Sequence, residues 1–129
     1  MSKIQIRVLS EVLPSSRLTW KFGRPRPVPG KRVFVRFCGA APGCDFTPDK
    51  VARPGRIDSG TISTTYDPAL TVDENHRRAA VEWCALHARG IDQERHQVED
   101  GKAVLWYAKP GARYHTITGA ARPVPTKEV

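Results

Sequence analysis

The alternation of apolar and polar residues predicts that most of the chain forms β-strands. Residues 4–8 alternate with the period of a strand that buries one face. Residues 17–22 alternate in the same way, and the turn-forming sequence at 14–16 separates the two runs, so they are predicted to pair as a hairpin. Residues 31–38 are rich in β-branched and aromatic side chains, which makes them the strongest predicted strand.

The second half of the chain contains one clear helix signal. Thr71 and Glu74 have the spacing of a capping box, in which both side chains accept hydrogen bonds from free backbone N–H groups. Apolar residues then recur at helical intervals, and Gly90 is typical of the position just beyond a helix end. The pattern predicts a helix over residues 72–89. Its predicted buried stripe consists of Ala80, Val81, Cys84, Ala85 and Ala88.

The residues beyond this helix return to a strand pattern. Two predicted strands, at residues 95–98 and 103–108, flank an Asp100-Gly101 pair, which is a strong hairpin signal. Residues 113–118 predict a last strand. The expected fold class is therefore α+β, with a mostly antiparallel β-sheet and one main α-helix.

Three segments are predicted to lie outside the regular structure of a single domain spanning residues 1–129. Residues 23–31 carry three prolines at alternate positions, which exclude a helix and a central strand and predict an exposed Pro/Arg arm. Residues 45–70 are rich in turn signals and predict a long loop, with at most an edge strand at 61–66. Residues 119–129 are predicted to form a flexible tail.

Composition narrows the class of protein. The chain has 129 residues, with 21 Lys and Arg against 13 Asp and Glu, and its formal net charge of +8 attracts polyanions. No apolar stretch reaches the roughly 18 residues of a membrane span, and no signal-peptide core is present, so we expect neither a membrane protein nor a secreted one. Three cysteines cannot all pair within one chain, which fits a reducing cytoplasm. The excess of Arg over Lys suggests a GC-rich bacterium or one of its phages.

The cysteines predict a zinc-finger-like site that staples the fold. Cys38 ends the strongest strand and Cys44 follows a short loop, whereas Cys84 and His87 lie about one helical turn apart. Zinc binds four such ligands as a tetrahedron, and a complete Cys3His set leaves no open position for catalysis, so structural zinc is expected. The alternatives are inert buried thiols, a Cys38–Cys44 disulfide or a reactive thiol.

Catalytic patterns are absent from the sequence. His76, His96 and His115 are scattered over the helix start and two strands, and no Ser or Cys lies in a nucleophile elbow. Neither a Gly-rich phosphate loop nor a metalloprotease motif occurs. We therefore expect a non-enzymatic binding function.

The positive charges form three groups along the chain: on and beside the Pro/Arg arm, in the long loop, and at the helix start. Basic residues interleaved with aromatic ones, such as Trp20 and Phe22 before the arm, are typical of nucleic-acid-binding surfaces. Nucleic acid is thus the first predicted partner. The alternative is a protein-interaction or assembly module, such as a phage accessory protein or virion component, whose arm and loop contact a protein. The predicted nucleic-acid-binding residues are Arg24, Arg26, Lys31, Arg32, Arg36, Lys50, Arg53, Arg56, Arg77 and Arg78.

Overall fold

The computed structural model describes residues 3–14, 18–21, 24–27, 31–53, 55–58 and 60–121. The strands are β1 (Lys3–Pro14), β2 (Leu18–Lys21), β3 (Arg24–Pro27), β4 (Lys31–Ala40), β5 (Val51–Arg53), β6 (Arg56–Asp58), β7 (Thr61–Thr65), β8 (Ile91–Asp100) and β9 (Arg113–Ala121). The helices are α1 (Val72–His87) and α2 (Gly101–Val104).

A five-stranded antiparallel sheet forms the centre of the fold. Its strand order is β7-β4-β1-β9-β8, and α1 packs on one of its faces. The pairs β2–β3 and β5–β6 form two separate ribbons. The predicted α+β class, with a mostly antiparallel sheet and one main helix, is confirmed.

Alternation along β1 and β4 assigns side chains to the two faces of the sheet. Val8 and Val35 are fully buried on the face that α1 covers, which we call the helix face. Leu9, Phe34 and Arg36 occupy alternate positions and lie on the opposite face, which we call the open face. Leu9 is nevertheless buried, because the chain after α2 packs on it. The open face is thus only partly covered.

The predicted hairpin between residues 4–8 and 17–22 is wrong. β1 pairs with β4 and β9, and Leu18–Lys21 pairs with Arg24–Pro27 inside the predicted arm. β1 is buried on both faces and is the central strand of its sheet. β3 tolerates its prolines because a strand in a two-stranded ribbon has one edge free of ladder hydrogen bonds.

The helix and the Thr71 half of its capping box are confirmed, whereas the Glu74 carboxylate accepts a hydrogen bond from the Thr71 hydroxyl and not from a backbone N–H group. The Thr71 hydroxyl oxygen accepts a hydrogen bond from the backbone N–H of Glu74 at 3.1 Å. The helix ends at His87, slightly before the predicted residue 89, and Ala88 is its C-cap.

The buried stripe of α1 is only partly as predicted. Ala80 and Cys84 are buried, whereas Val81 is 44% exposed and Ala85 is also exposed. A pattern that counts only apolar residues misplaces the stripe, because α1 also buries the imidazoles of His76 and His87. The large side chains that α1 buries are His76, Trp83 and His87.

The predicted hairpin at Asp100-Gly101 is also wrong. Asp100 instead caps α2, and its carboxylate accepts a hydrogen bond from the backbone N–H of Lys102 at 3.0 Å. A Cβ at Gly101 would lie 2.9 Å from Cδ1 of Leu9 and 3.0 Å from the carbonyl oxygen of Ala112. Glycine is therefore required here by close packing against β1, not by a turn.

Regular structure extends into the segments that the sequence assigns to loops. The segment 45–70 contains β5, β6 and β7, and β7 is the edge strand predicted at 61–66. Residues 119–121 of the predicted tail belong to β9. Residues 122–129 and several positions of the predicted arm lie outside the described residues. Neither helix in the described part of the chain has the length and apolar content needed to cross a membrane.

Candidate functional site

The four predicted zinc ligands occupy different parts of the fold. Cys84 and His87 are buried on the sheet-facing side of α1. The Sγ of Cys44 lies 3.6 Å from the carbonyl oxygen of Lys3, at the start of β1. Cys38 is exposed and lies where the register between β1 and β4 shifts. Within the described ranges, no group of three or more His, Cys, Asp or Glu side chains is arranged to hold a metal ion.

The electrostatic neighbours of Cys38 place it on the open face. Desolvation raises the pKa of the Cys38 thiol, while Arg36 lowers this pKa and Glu11 raises it. Arg36 and Glu11 both belong to the face opposite α1. Cys84 lies on the other side of the sheet, where burial raises the pKa of its thiol to about 12. The described geometry does not bring the four ligands together, and the zinc centre stays a prediction.

His87 has one buried nitrogen without a partner. Its Nδ1 lies 2.6 Å from the carbonyl oxygen of Asp49, so this nitrogen carries the proton and donates. Among the described residues, its Nε2 is buried and accepts no hydrogen bond. The ring packs against Trp83, with centroids 5.4 Å apart. In metal-binding histidines, one ring nitrogen commonly donates a hydrogen bond to a backbone carbonyl. This bond orients the ring, so that the lone pair of the other nitrogen points at the metal.

The predicted nucleic-acid-binding cations do not share one face. Arg36 lies on the open face. Arg32 alternates with Val33 and Val35 and lies on the same face as Arg36, where it hydrogen-bonds Ser63 on the edge strand β7. Arg78 donates to the carbonyl oxygen of Thr65 at 2.6 Å, beside α1.

The remaining predicted cations are dispersed as well. The Nζ of Lys31 lies 5.7 Å from the centroid of the Tyr66 ring. Arg77 lines a surface pocket together with Glu99, Asp73 and Arg113, and the carboxylate of Asp73 pairs with Arg113. Lys50 is exposed. The side chains of four further predicted residues lie outside the described part of the structure, namely Arg24, Arg26, Arg53 and Arg56.

Two adjacent aromatic residues are exposed beside the open face. Trp106 is 87% exposed and Tyr107 is 53% exposed, and their rings meet edge to face with centroids 5.9 Å apart. The turn that carries them is closed by a hydrogen bond from the backbone N–H of Ala108 to the carbonyl oxygen of Leu105. Leu105 and Ala108 both pack on Leu9. The apolar neighbours thus anchor the turn while the two rings remain accessible.

A groove of about 460 Å³ lies between this turn and the sheet, and we call it the Tyr107 groove. Its lining includes Phe34, Arg36, Tyr107 and Lys109, together with the carboxylate of Glu11. The guanidinium carbon of Arg36 lies 5.5 Å from the centroid of the Tyr107 ring, within the range of a cation–π contact. The groove therefore combines an aromatic ring, two cations and apolar walls.

Sequence reasoning missed Trp106, Tyr107 and Lys109 as a site. Residues 103–108 were predicted to be a strand, and strand alternation buries one of any two adjacent side chains. The signal that was present is the Trp-Tyr pair closely followed by a Lys109-Pro110 turn sequence. Both residues of the pair are exposed here because they lie on a turn and not on a strand.

Three histidines that are far apart in sequence meet in the core, contrary to the expectation that they are scattered. The Oγ of Ser10 lies 2.7 Å from Nδ1 of His76 and 2.6 Å from Nε2 of His115. The Nδ1 of His115 lies 2.7 Å from Nε2 of His96. We call these four residues the histidine network.

The histidine network is buried and uncharged at neutral pH. Desolvation is the main cause, and it lowers the pKa of His76 to about 4 and that of His115 to about 3. The pKa of His96 falls to about 4 through desolvation and the nearby charge of Arg77. The Oγ of Ser10 is buried and hydrogen-bonded on two sides, so this hydroxyl is not presented to a substrate as a nucleophile.

Comparisons with known proteins give no assignment. No family model matches the chain, and neither a curated protein nor a solved structure is similar to it.

Proposed function

We propose that the protein binds single-stranded nucleic acid at the Tyr107 groove. The observation that carries the proposal is the exposed Trp106–Tyr107 pair, which lies beside a cationic groove on a partly uncovered sheet. Every nucleobase has a π-face, so exposed aromatic rings bind bases with little regard to sequence. The bases stack on Trp106 and Tyr107 in this proposal.

The charges at the groove support a polyanionic ligand. Arg36 and Lys109 line it, and Glu11 supplies the opposing carboxylate. The formal charge of +8 adds a long-range attraction that raises the association rate. Phosphate groups contact the two cations in this proposal, while the bases reach the aromatic rings.

The shape of the site favours single strands over duplexes. The bases of a duplex are stacked on each other, so an aromatic ring cannot stack on them without disrupting the helix. A strand that is unpaired has bases free to stack on protein side chains. The open sheet face and the two rings therefore match an unpaired strand.

A protein partner is the second candidate function. Trp, Tyr and Arg are the residue types that most often dominate the binding energy of protein interfaces, and here Trp106, Tyr107 and Arg36 lie close together. The response to salt separates the two candidates. Nucleic-acid binding weakens steeply with salt because each phosphate contact releases counterions, whereas a mostly apolar protein interface responds weakly.

The test is fluorescence anisotropy with labelled oligo(dT) and oligo(U) between about 50 and 200 mM salt. We expect Trp106→Ala and Tyr107→Ala each to weaken binding by about 5- to 150-fold, which corresponds to roughly 1–3 kcal/mol per stacked base. Val81→Ala, a change of an exposed apolar residue on α1, is the matched control.

The charge contribution is tested with a matched pair of arginines. Arg36→Ala is expected to weaken binding and to lower the salt slope by about 1. Arg95→Ala removes the same charge from an exposed position on β8 and is expected to leave the slope nearly unchanged. Binding that is absent at about 50 mM salt, or equal losses in both variants, would contradict the proposed site.

Structural zinc at Cys38, Cys44, Cys84 and His87 remains a separate proposal from the sequence spacing. The unpartnered Nε2 of His87 supports it, and the position of Cys38 on the open face counts against this particular ligand set. The Tyr107 groove is built without these four residues. The nucleic-acid proposal therefore stands or falls independently of the metal.

A further inference from the structure

The histidine network links four elements of the fold through consecutive hydrogen bonds. It runs from His76 on α1 to Ser10 on β1, then to His115 on β9 and His96 on β8. The first three residues are fully buried, and His96 at the end is half-buried. An uninterrupted polar path therefore crosses the layer between helix and sheet.

Counting protons leaves two arrangements that satisfy all three hydrogen bonds when the imidazoles are neutral. In the first, Nδ1–H of His76 donates to Ser10, the hydroxyl donates to Nε2 of His115, and Nδ1–H of His115 donates to His96. In the second, every bond is reversed. Nε2–H of His96 then donates to His115, Nε2–H of His115 donates to Ser10, and the hydroxyl donates to Nδ1 of His76.

The two arrangements differ at the ends of the network. His76 has a free lone pair at Nε2 in the first arrangement and an N–H there in the second. At Nδ1 of His96 the situation is opposite, with an N–H in the first arrangement and a lone pair in the second. A group that accepts a hydrogen bond from Nε2 of His76 therefore selects the second arrangement along the whole network.

His76 lines a cavity of about 350 Å³, which we call the His76 cavity. No hydrogen bond within the described residues uses Nε2 of His76, and this nitrogen is not among the fully buried polar atoms that lack a partner. Five parts of the chain form the walls, because the end of β1, the start of β4, Tyr66 after β7, the start of α1 and the turn at 109–112 meet there.

The cavity walls combine apolar surface with a few polar groups. Val12, Leu13 and Val72 supply apolar surface, while Lys31 and Lys109 supply two cations. Glu11 and Tyr66 are the other polar side chains in the lining. Concave, mostly apolar sites with a few polar groups are typical of small-molecule binding.

We propose that the His76 cavity binds a small organic carboxylate with an apolar body, and that binding reverses the hydrogen bonds of the histidine network as far as His96. The carboxylate accepts a hydrogen bond from Nε2–H of His76 and pairs with Lys31 or Lys109. The apolar body contacts the aliphatic walls. The cavity shares Glu11, Leu13 and Lys109 with the Tyr107 groove, but its contact at His76 does not rest on the nucleic-acid proposal.

The reversal balances without any net change of charge. Starting from the first arrangement, Nε2 of His76 takes one proton from water, and its Nδ1 proton moves to the oxygen of Ser10. The hydroxyl proton of Ser10 moves to Nε2 of His115, whose Nδ1 proton moves to Nε2 of His96. The Nδ1 proton of His96 returns to water, so one proton enters, one leaves, and every group ends neutral.

The test is to titrate the whole protein with benzoate and follow the ¹⁵N chemical shifts of the imidazoles, which report tautomers directly. We expect saturable shifts at His76, His115 and His96, with His76 and His96 both ending as Nε2–H. His87 lies outside the network, and its Nδ1 is held by the Asp49 carbonyl, so it serves as an internal control. No saturable shift, or a shift confined to His76, would overturn the proposal.

Two variants distinguish ligand binding in the His76 cavity from the reversal of hydrogen bonds along the histidine network. Lys109→Ala, at an exposed position, is expected to weaken benzoate binding without altering the tautomers of the free protein. Ser10→Ala is expected to keep the shift at His76 and lose it at His115 and His96. Ser10→Cys keeps the size of the side chain but offers only a weak donor and acceptor, so it gives the same comparison if the alanine variant does not fold. An undiminished response at His96 in Ser10→Ala would show that the network does not carry the change.

Discussion

The hydroxyl oxygen of Ser10 lies 2.7 Å from Nδ1 of His76, although 66 residues separate the two in sequence. The same oxygen lies 2.6 Å from Nε2 of His115. One small hydroxyl therefore satisfies two buried imidazoles and ties α1 to the central strand. A buried polar group without such a partner costs about 1–3 kcal/mol.

Ser10→Ala is therefore expected to lower the free energy of unfolding by about 1–3 kcal/mol, because it leaves two buried ring nitrogens without their partner. Urea unfolding monitored by circular dichroism measures this change. Ser63→Ala removes a hydroxyl from an exposed residue on β7 and is expected to cost less than about 0.5 kcal/mol. Equal losses in the two variants would show that the buried network does not contribute to stability.

The lowered pKa values of His76, His96 and His115 predict loss of stability in mild acid. The unfolded chain takes up protons near pH 6.5, whereas the folded pKa of His76 is about 4. Stability is therefore complete above pH 6.5 and decreases as the pH falls toward 4. For His76 alone the loss is about 2 kcal/mol by about pH 5.

Urea unfolding at several values between about pH 7.5 and 5 measures this dependence, because most carboxylates stay ionised there. Burial is the main cause of the shift at His76, Arg113 adds to it, and Asp73 opposes it. His96→Gln removes one of the three titrating groups and is expected to reduce the pH slope. A free energy of unfolding that does not change over this range would contradict neutral, buried imidazoles.

Local signals in the sequence were sufficient for the helix and for the existence of most strands. The capping box at Thr71 works between residues three apart, so it can be read without the rest of the fold. Strand pairing could not be read in this way. β1 pairs with β4 and β9, and nothing in its alternation distinguishes these neighbours from Leu18–Lys21.

The candidate sites depend on contacts that are distant in sequence. The sequence places His76 and His115 on separate elements, yet both are buried and share the hydroxyl of Ser10 as a hydrogen-bond partner. Trp106 is exposed because α2 replaces the predicted hairpin and sets the turn that follows. In both cases tertiary packing overrides the local pattern, and only the three-dimensional structure reveals the site.

Gly101→Ala is expected to destabilise the protein by about 1–3 kcal/mol, since the new Cβ would be too close to Leu9 and to the Ala112 carbonyl oxygen. The backbone movement that relieves these close contacts should also displace the turn that carries Trp106, so binding of oligo(dT) should weaken as well. Gly90→Ala is the control, because a Cβ there meets no atom within 4 Å. Thermal unfolding measures the loss of stability, and fluorescence anisotropy measures the loss of oligo(dT) binding. Equal losses in Gly101→Ala and Gly90→Ala would contradict the packing argument.

The zinc prediction has a direct chemical test. Elemental analysis of the purified protein should give about one equivalent of zinc if the site exists, and chelation should then destabilise the fold. Less than about 0.2 equivalents, with no change on chelation, would exclude it. Cys38→Ser tests the ligand set, because Cys38 lies on the open face and Cys84 on the helix face. Retention of zinc in Cys38→Ser, together with its loss in Cys84→Ser, would assign the metal to a different fourth ligand.

Substitution by phenylalanine is expected to lower the stability of the protein at Trp83 but not at Trp106. Trp83 is fully buried, and its Nε1–H donates to the carbonyl oxygen of Gly60 at 2.9 Å, so Trp83→Phe should cost about 1–2 kcal/mol of stability. Trp106→Phe should leave stability nearly unchanged, because the side chain is 87% exposed.

Quenching of tryptophan fluorescence by acrylamide completes the comparison, because the quencher reaches exposed rings and not buried ones. Trp106→Phe should remove a large part of the quenchable emission, and Trp83→Phe should leave that part in place. Oligo(dT) should protect the wild-type protein from acrylamide if bases stack on Trp106. Protection that persists in Trp106→Phe would move the binding site away from this ring, and quenching that is unchanged in Trp106→Phe would show that the ring is not accessible.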